Sequence, residues 1–204
     1  MILFPSVKST YSLTLSPGAG TKKKGTTVAL KSAVVTVTKK GTENIKKIQI
    51  KIGQVVLATV ESGINQTGST TINLTQYING NTTITAVVTD TANADTTLSA
   101  SYSFVDPYYY GVIVGEPTAE IVSGLTEKVA AKTTQTIAYS MNKSKAVFAY
   151  PSSYGPIKTI IDPTTNFDYT DSFNKYDLTI NGVSYYVYVL GLAATSDISF
   201  KFSY

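Results

Sequence analysis

The chain has 204 residues, enough to bury one large or two small cores, and its lack of Cys excludes a disulfide framework and thiol chemistry. It also lacks His, Trp and Arg, which removes the usual general base, zinc and related nitrogen- or sulfur-seeking metals, and the bidentate reader of phosphate and guanine. The net charge of +4 divides into +6 over 1–105 (ten lysines, four acids) and −2 over 106–204 (seven lysines, nine acids), and a basic half without arginine makes no case for a nucleic-acid partner.

Met1-Ile2-Leu3-Phe4-Pro5 has neither the charged start nor the apolar length of a signal peptide. Residues 1–10 are expected to form an arm whose apolar Leu3 and Phe4 are candidate docking side chains. No apolar run nears the ~18 residues that cross a bilayer, so membrane insertion is not expected. High Thr, Tyr, Val and Ile then favour strands, because branched and aromatic side chains suit a pleated, half-buried surface.

Strands are predicted over Thr10–Leu15, Val28–Thr38, Ile45–Ile52, Val55–Val60, Thr70–Leu74, Thr82–Thr89 and Thr97–Phe104. The rows Ala33/Val35/Val37, Ile48/Ile50/Ile52 and Ile84/Ala86/Val88 have the period of two that buries one face. Lys22-Lys23-Lys24, between Gly20 and Gly25, reads as a solvated loop. Gly53-Gln54 and Asn79-Gly80-Asn81 read as turns. Seven short strands in 11–105 predict an immunoglobulin-like β-sandwich, without the Cys pair and core Trp of antibody domains.

Asp106-Pro107-Tyr108-Tyr109-Tyr110-Gly111 begins a Tyr-rich linker assigned to 106–116. Residues 117–204 then read as a second, smaller β-rich domain. One short helix is expected at Pro117–Leu125, capped by Thr118, with Ile121 and Leu125 four apart. Strands follow over Thr134–Ser140, Lys145–Tyr150, Ile157–Ile161, Tyr176–Ile180, Val183–Leu190 and Ile198–Tyr204. Asn181-Gly182 predicts a type I′ hairpin. Apolar or aromatic residues on both faces of Val183–Leu190 imply a strand covered on both sides, by the core or by the core and a partner. The fold class is therefore all-β.

Several segments resemble modules of bacteriophage virion proteins. Ser16-Pro17-Gly18, Lys24-Gly25-Thr26-Thr27-Val28 and Ile45-Lys46-Lys47-Ile48 are similar to the opening of their Ig-like modules. Asn81-Thr82-Thr83, Val88-Thr89-Asp90 and Ser103–Gly111 match the way those modules continue and close. Phe148-Ala149-Tyr150-Pro151-Ser152-Ser153-Tyr154-Gly155, Ile161-Asp162 with Phe167-Asp168, and Thr179–Tyr188 resemble the module that commonly follows. The likeness covers most of the chain and lies in structural motifs. It implies a non-enzymatic virion component (tail, collar, fibre or capsid-surface subunit) assembled in the host bacterial cytoplasm. Its implied partners are other virion proteins and copies of itself. Only about ten residues precede the first strand, which points to a small repeated subunit. The alternative is an adhesin that binds glycans of the host surface.

Candidate chemistry is sparse. Ser152 and Ser153 have no His to activate them and only Lys158 as a nearby base. Asp162, Asp168, Asp171 and Asp177 are the carboxylates that a polymer-degrading enzyme would use. Asp90/Asn93/Asp95 and Asp162/Asp168/Asp171 are oxygen-rich, yet neither has the calcium-loop spacing, and Asx turns account for both sets. No catalytic residue, cofactor or metal is assigned. The interface candidates are Leu3, Phe4, Tyr108, Tyr109, Tyr110, Tyr186 and Tyr188, because Tyr offers a large flat area at low entropic cost.

Overall fold

The computed structural model describes residues 7–204; Leu3 and Phe4 lie outside them. Among the described residues the fold is all-β apart from one short helix and two 3-10 turns. It divides into two compact units between Phe104 and Val105.

In the first unit, β1 (Thr10–Ser16), β3 (Val28–Thr38) and β6 (Gly68–Ile78) form a sheet in the order β1-β3-β6. The second sheet contains β2 (Gly20–Lys23), β4 (Ile45–Ile52), β5 (Val55–Val60), β7 (Thr82–Asp90) and β8 (Asp95–Val105), in the order β2-β8-β7-β4-β5. A first strand that crosses from one sheet to the other, as β1 and β2 do, and this order of the remainder make an immunoglobulin-like sandwich. Alternation drives it. Ala33, Val35 and Val37 from one sheet meet Ile48, Ile50, Ile84, Ala86 and Val88 from the other, all essentially removed from solvent.

The second unit pairs a five-stranded sheet with a three-stranded one. The larger sheet, in the order β10-β9-β12-β15-β14, is built from β9 (Tyr108–Ile113), β10 (Thr126–Lys128), β12 (Lys145–Pro151), β14 (Phe173–Ile180) and β15 (Val183–Leu190). The smaller, β11-β16-β13, uses β11 (Gln135–Tyr139), β13 (Thr159–Ile161) and β16 (Ile198–Ser203). Between them lies a core of rings. Phe148 stacks on Phe202 with centroids 4.3 Å apart and on Tyr108 at 5.6 Å. Edge-to-face contacts of Phe173 with Phe200 and of Tyr150 with Tyr204 extend the cluster. The other face of the larger sheet is also buried, under helix α1 (Ala119–Ser123), whose Val122 packs among Tyr109, Val147, Val187 and Val189.

The structure corrects several expectations. The segment 106–116 is no free linker, because Tyr108–Ile113 is an internal strand between β10 and β12. Lys22 and Lys23 belong to β2 rather than to a loop, and the Lys22 ammonium lies 5.8 Å from the ring of Tyr102. Thr118 caps α1 as expected, accepting the Ile121 N–H at 3.2 Å. The helix stops before Leu125, however, and turns Val122 inward while Ile121 stays exposed. The double coverage of Val183–Leu190 is supplied by this chain alone, by the ring core on one face and α1 on the other.

Candidate functional site

The tyrosines singled out as interface candidates are mostly core residues. Tyr108, Tyr109 and Tyr188 are buried, and Tyr110 and Tyr186 are half-buried. Alternation explains the split: Tyr108 and Tyr110 face the ring core, whereas Tyr109 points the other way, onto Tyr185 and under α1. As a contact surface the set is therefore corrected at Tyr108, Tyr109 and Tyr188, and the hydroxyls of Tyr108 and Tyr188, like those of Tyr139, Tyr150 and Tyr185, bond backbone. Tyr108 donates to the Ala131 carbonyl at 3.0 Å, Tyr139 to Val147 at 3.1 Å, Tyr150 to Gly155 at 2.9 Å and Tyr185 to Pro107 at 3.0 Å. Tyr188 accepts the Ile157 N–H at 3.1 Å. Desolvation raises the pKa of Tyr108, Tyr139, Tyr150, Tyr185 and Tyr204 above 10, so they are neutral donors and acceptors.

Of the carboxylates named as candidate acids, Asp162 and Asp168 close turns, whereas Asp177 lies in β14 and pairs with Lys175 at 3.2 Å. Asp162 accepts the Thr164 N–H and the Thr165 hydroxyl, both at 2.8 Å, and its backbone N–H reaches the Phe167 carbonyl at 2.9 Å. Asp168 accepts the Thr170 N–H at 2.8 Å and the Thr170 hydroxyl at 2.6 Å. These bonds hold both carboxyls below the usual Asp range, the backbone N–H of Thr164 acting first on Asp162 and the Thr170 hydroxyl on Asp168. Such groups are stable anions, the opposite of a general acid poised near neutrality. In the first unit Asp90 accepts the Ala94 N–H at 2.9 Å, and Asp95 accepts the Thr89 hydroxyl at 2.6 Å. Among the described residues, no three acidic side chains converge as metal ligands would. Ser152 and Ser153 form a 3-10 turn that the Tyr150–Gly155 bond closes.

Two solvent-facing features stand out among the described residues. One is a shallow polar groove of about 370 Å³ on the second unit, lined by Ser140, Asp162, Thr164, Asp197 and Ser199 around Tyr139. Asp197 already accepts the Met141 N–H at 3.0 Å. The other is the outer surface of the first sandwich, dominated by short hydroxyl side chains. Rows such as Ser12–Thr36–Ser69 and Thr14–Val34–Thr71 run across one sheet, and Thr83–Ser101 and Thr85–Ser99 run across the other. The pairs Thr36–Ser69 and Thr83–Ser101 are hydrogen-bonded, at 2.9 and 2.8 Å. Composition alone signalled the Thr and Ser content, but which residues share a surface row depends on strand pairing.

Compared with known protein families, curated proteins and solved structures, the chain matches none.

Proposed function

We propose that this protein is a non-enzymatic structural component of a bacteriophage virion and works through protein–protein contacts. One observation carries the non-catalytic part: the hydroxyls of Tyr150, Tyr185 and Tyr188 and the carboxylates of Asp162 and Asp168 are all hydrogen-bonded to backbone. Rows of Thr and Ser on the solvent side of β1, β3, β6, β7 and β8 offer short side chains that lose little entropy when a partner covers them.

The virion assignment rests on the sequence resemblance, and the roles of its motifs support it. Asp106–Gly111 opens an internal strand whose Pro107 carbonyl is tied to Tyr185. Tyr150–Gly155 is a turn closed by its own first tyrosine, and Asn181-Gly182 forms a hairpin with φ values of +50° and +79°. Motifs that build a fold are the ones expected to persist in a shared scaffold. Antibodies against the purified protein should label particles banded from a lysate of the producing culture. Label confined to soluble fractions would overturn the assignment.

The adhesin reading has one feature in its favour, the polar groove with Asp162 and Asp197, whose hydroxyl and carboxylate lining suits a polyol. Saturable binding to host wall polysaccharide that D197A abolishes would favour it over assembly.

A further inference from the structure

We propose that the β5–β6 side of the first sandwich is a self-association surface, on which β6 pairs antiparallel with β6 of a second copy about a two-fold axis. The inference takes its partner from the assembly reading and gives that reading a surface.

The two sides of the sandwich differ. On one, β1 and β2 are successive pieces of chain that run from one sheet to the other, and β2 is four residues long with Lys22 and Lys23 in it. Its shortness and its lysines protect the β2 edge against strand addition, while β1 is an uncharged edge of seven residues, four fewer than β6. On the other side, β5 and β6 each pair with a single neighbour and end their sheets. Neither contains a charge or a proline, and β6 runs for eleven residues, Gly-Ser-Thr-Thr-Ile-Asn-Leu-Thr-Gln-Tyr-Ile. The sheet edges of the second unit are blunted: β10 and β13 have three residues each, β11 has five, and β14 carries Lys175 and Asp177.

Apolar exposure collects on the same side. Val55, Val56 and Tyr77 are 64%, 45% and 72% exposed, and Val7 is the only other large exposed hydrophobic residue among the described part of this unit. An open groove of about 180 Å³ between the two edges is lined by Leu57, Leu74 and Asn73–Gln76. Both edge strands have a register shift, β5 opposite Ile50/Lys51 and β6 opposite Leu30/Ser32, and β6, with eleven residues against six, offers the longer run to pair.

A two-fold interface sets each patch against itself, so any charge there would meet its like; an uncharged edge is what self-pairing needs. Centring the register on Asn73 places Thr71 opposite Thr75 and Ser69 opposite Tyr77 on the outer face. Ile72 then meets Leu74 on the inner face, which continues the core across the axis and seals the Leu57–Leu74 groove. Six residues of β5 and eleven of β6 approach the roughly 20–30 residues a side of a stable interface.

The test is the solution mass of the full chain by light scattering over a concentration series, for the wild type and for T71K/T75K. Both threonines are exposed, so the lysines leave each sandwich intact but oppose one another across the axis. The wild type should reach twice the chain mass of 21.8 kDa, and T71K/T75K should stay at one chain mass with an unchanged melt. An equimolar mixture of T71K/T75K and T71E/T75E should regain the dimer, which a misfolded variant would not. S12K/T14K, on the β1 edge, should behave as wild type. An oligomer that survives T71K/T75K would overturn this surface and leave the assembly reading standing. A wild type that is monomeric at every concentration would overturn self-pairing, while particle labelling tests the virion assignment separately.

Discussion

The hydroxyl of Tyr188 is the partner of a buried backbone N–H, that of Ile157. Tyr188→Phe keeps the ring but strands that donor, and an unpaired buried group costs about 1–3 kcal/mol. The expected result is a lower midpoint in urea with an unchanged slope. Gly111, the glycine that ends the Tyr-rich motif, is also set by its neighbours, because a Cβ there would lie 3.0 Å from Leu125 Cδ2 on the cover of the sheet. Gly111→Ala should lose about 1–3 kcal/mol by overpacking, measured the same way; a neutral result would mean that Leu125 yields freely. Neither role is legible from the sequence. Tyr-Tyr-Tyr-Gly announces large rings and a flexible point, but which ring faces which core depends on strand pairing with β12. The tyrosines looked like interface residues because the features that make Tyr a good contact residue also make it a good core residue once its hydroxyl has a carbonyl to meet.

Elements with clean alternation were readable. The rows Ala33/Val35/Val37 and Ile84/Ala86/Val88 and the Asn181-Gly182 hairpin stand where pattern and turn chemistry place them. Two kinds of strand were not readable. β2 is four residues of Gly, Thr and Lys, with no apolar signal of its own, and is held by pairing with β8. β9 is apolar on both faces and follows Asp106-Pro107, so it shows no period of two and sits beside a strong turn signal. That difference predicts how the chain can be cut. A fragment of residues 105–204 keeps β9 between β10 and β12 and should show β-sheet circular dichroism with a cooperative melt. Residues 117–204, starting after the segment that reads as a linker, lose an internal strand and should be unfolded. A folded 117–204 would show that β9 is dispensable.

For the whole molecule, the two units differ in how they should respond to alkali. Burial raises the pKa of Tyr108, Tyr139, Tyr150, Tyr154, Tyr185 and Tyr204 in the second unit, against Tyr102 alone in the first. An unfolded tyrosine gives up its proton near 10, whereas these keep theirs in the folded state. Above that pH the unfolded chain binds fewer protons, so stability is intact below about 10 and declines as pH rises toward the raised folded values. The second unit should therefore unfold first, with tyrosinate absorbance appearing together with loss of its near-ultraviolet dichroism. Ionisation of all fifteen tyrosines with the dichroism intact would contradict the burial of these rings.

The cover over the outer face of the larger sheet is a short stretch, chiefly α1 and Leu125, and only Val122 of the five helical residues is fully buried. Beneath it lie Val147, Ala149, Val187 and Val189, at most 1% exposed. So small a lid holds few contacts of its own, while the sheet under it is locked by the ring core on its far side. Amide exchange should then proceed in two tiers, with the helical N–H groups opening by a local fluctuation and those of β12 and β15 only with the whole unit. Each local opening would bare a strip of aliphatic sheet, so a five-residue helix guards a surface able to bind other chains.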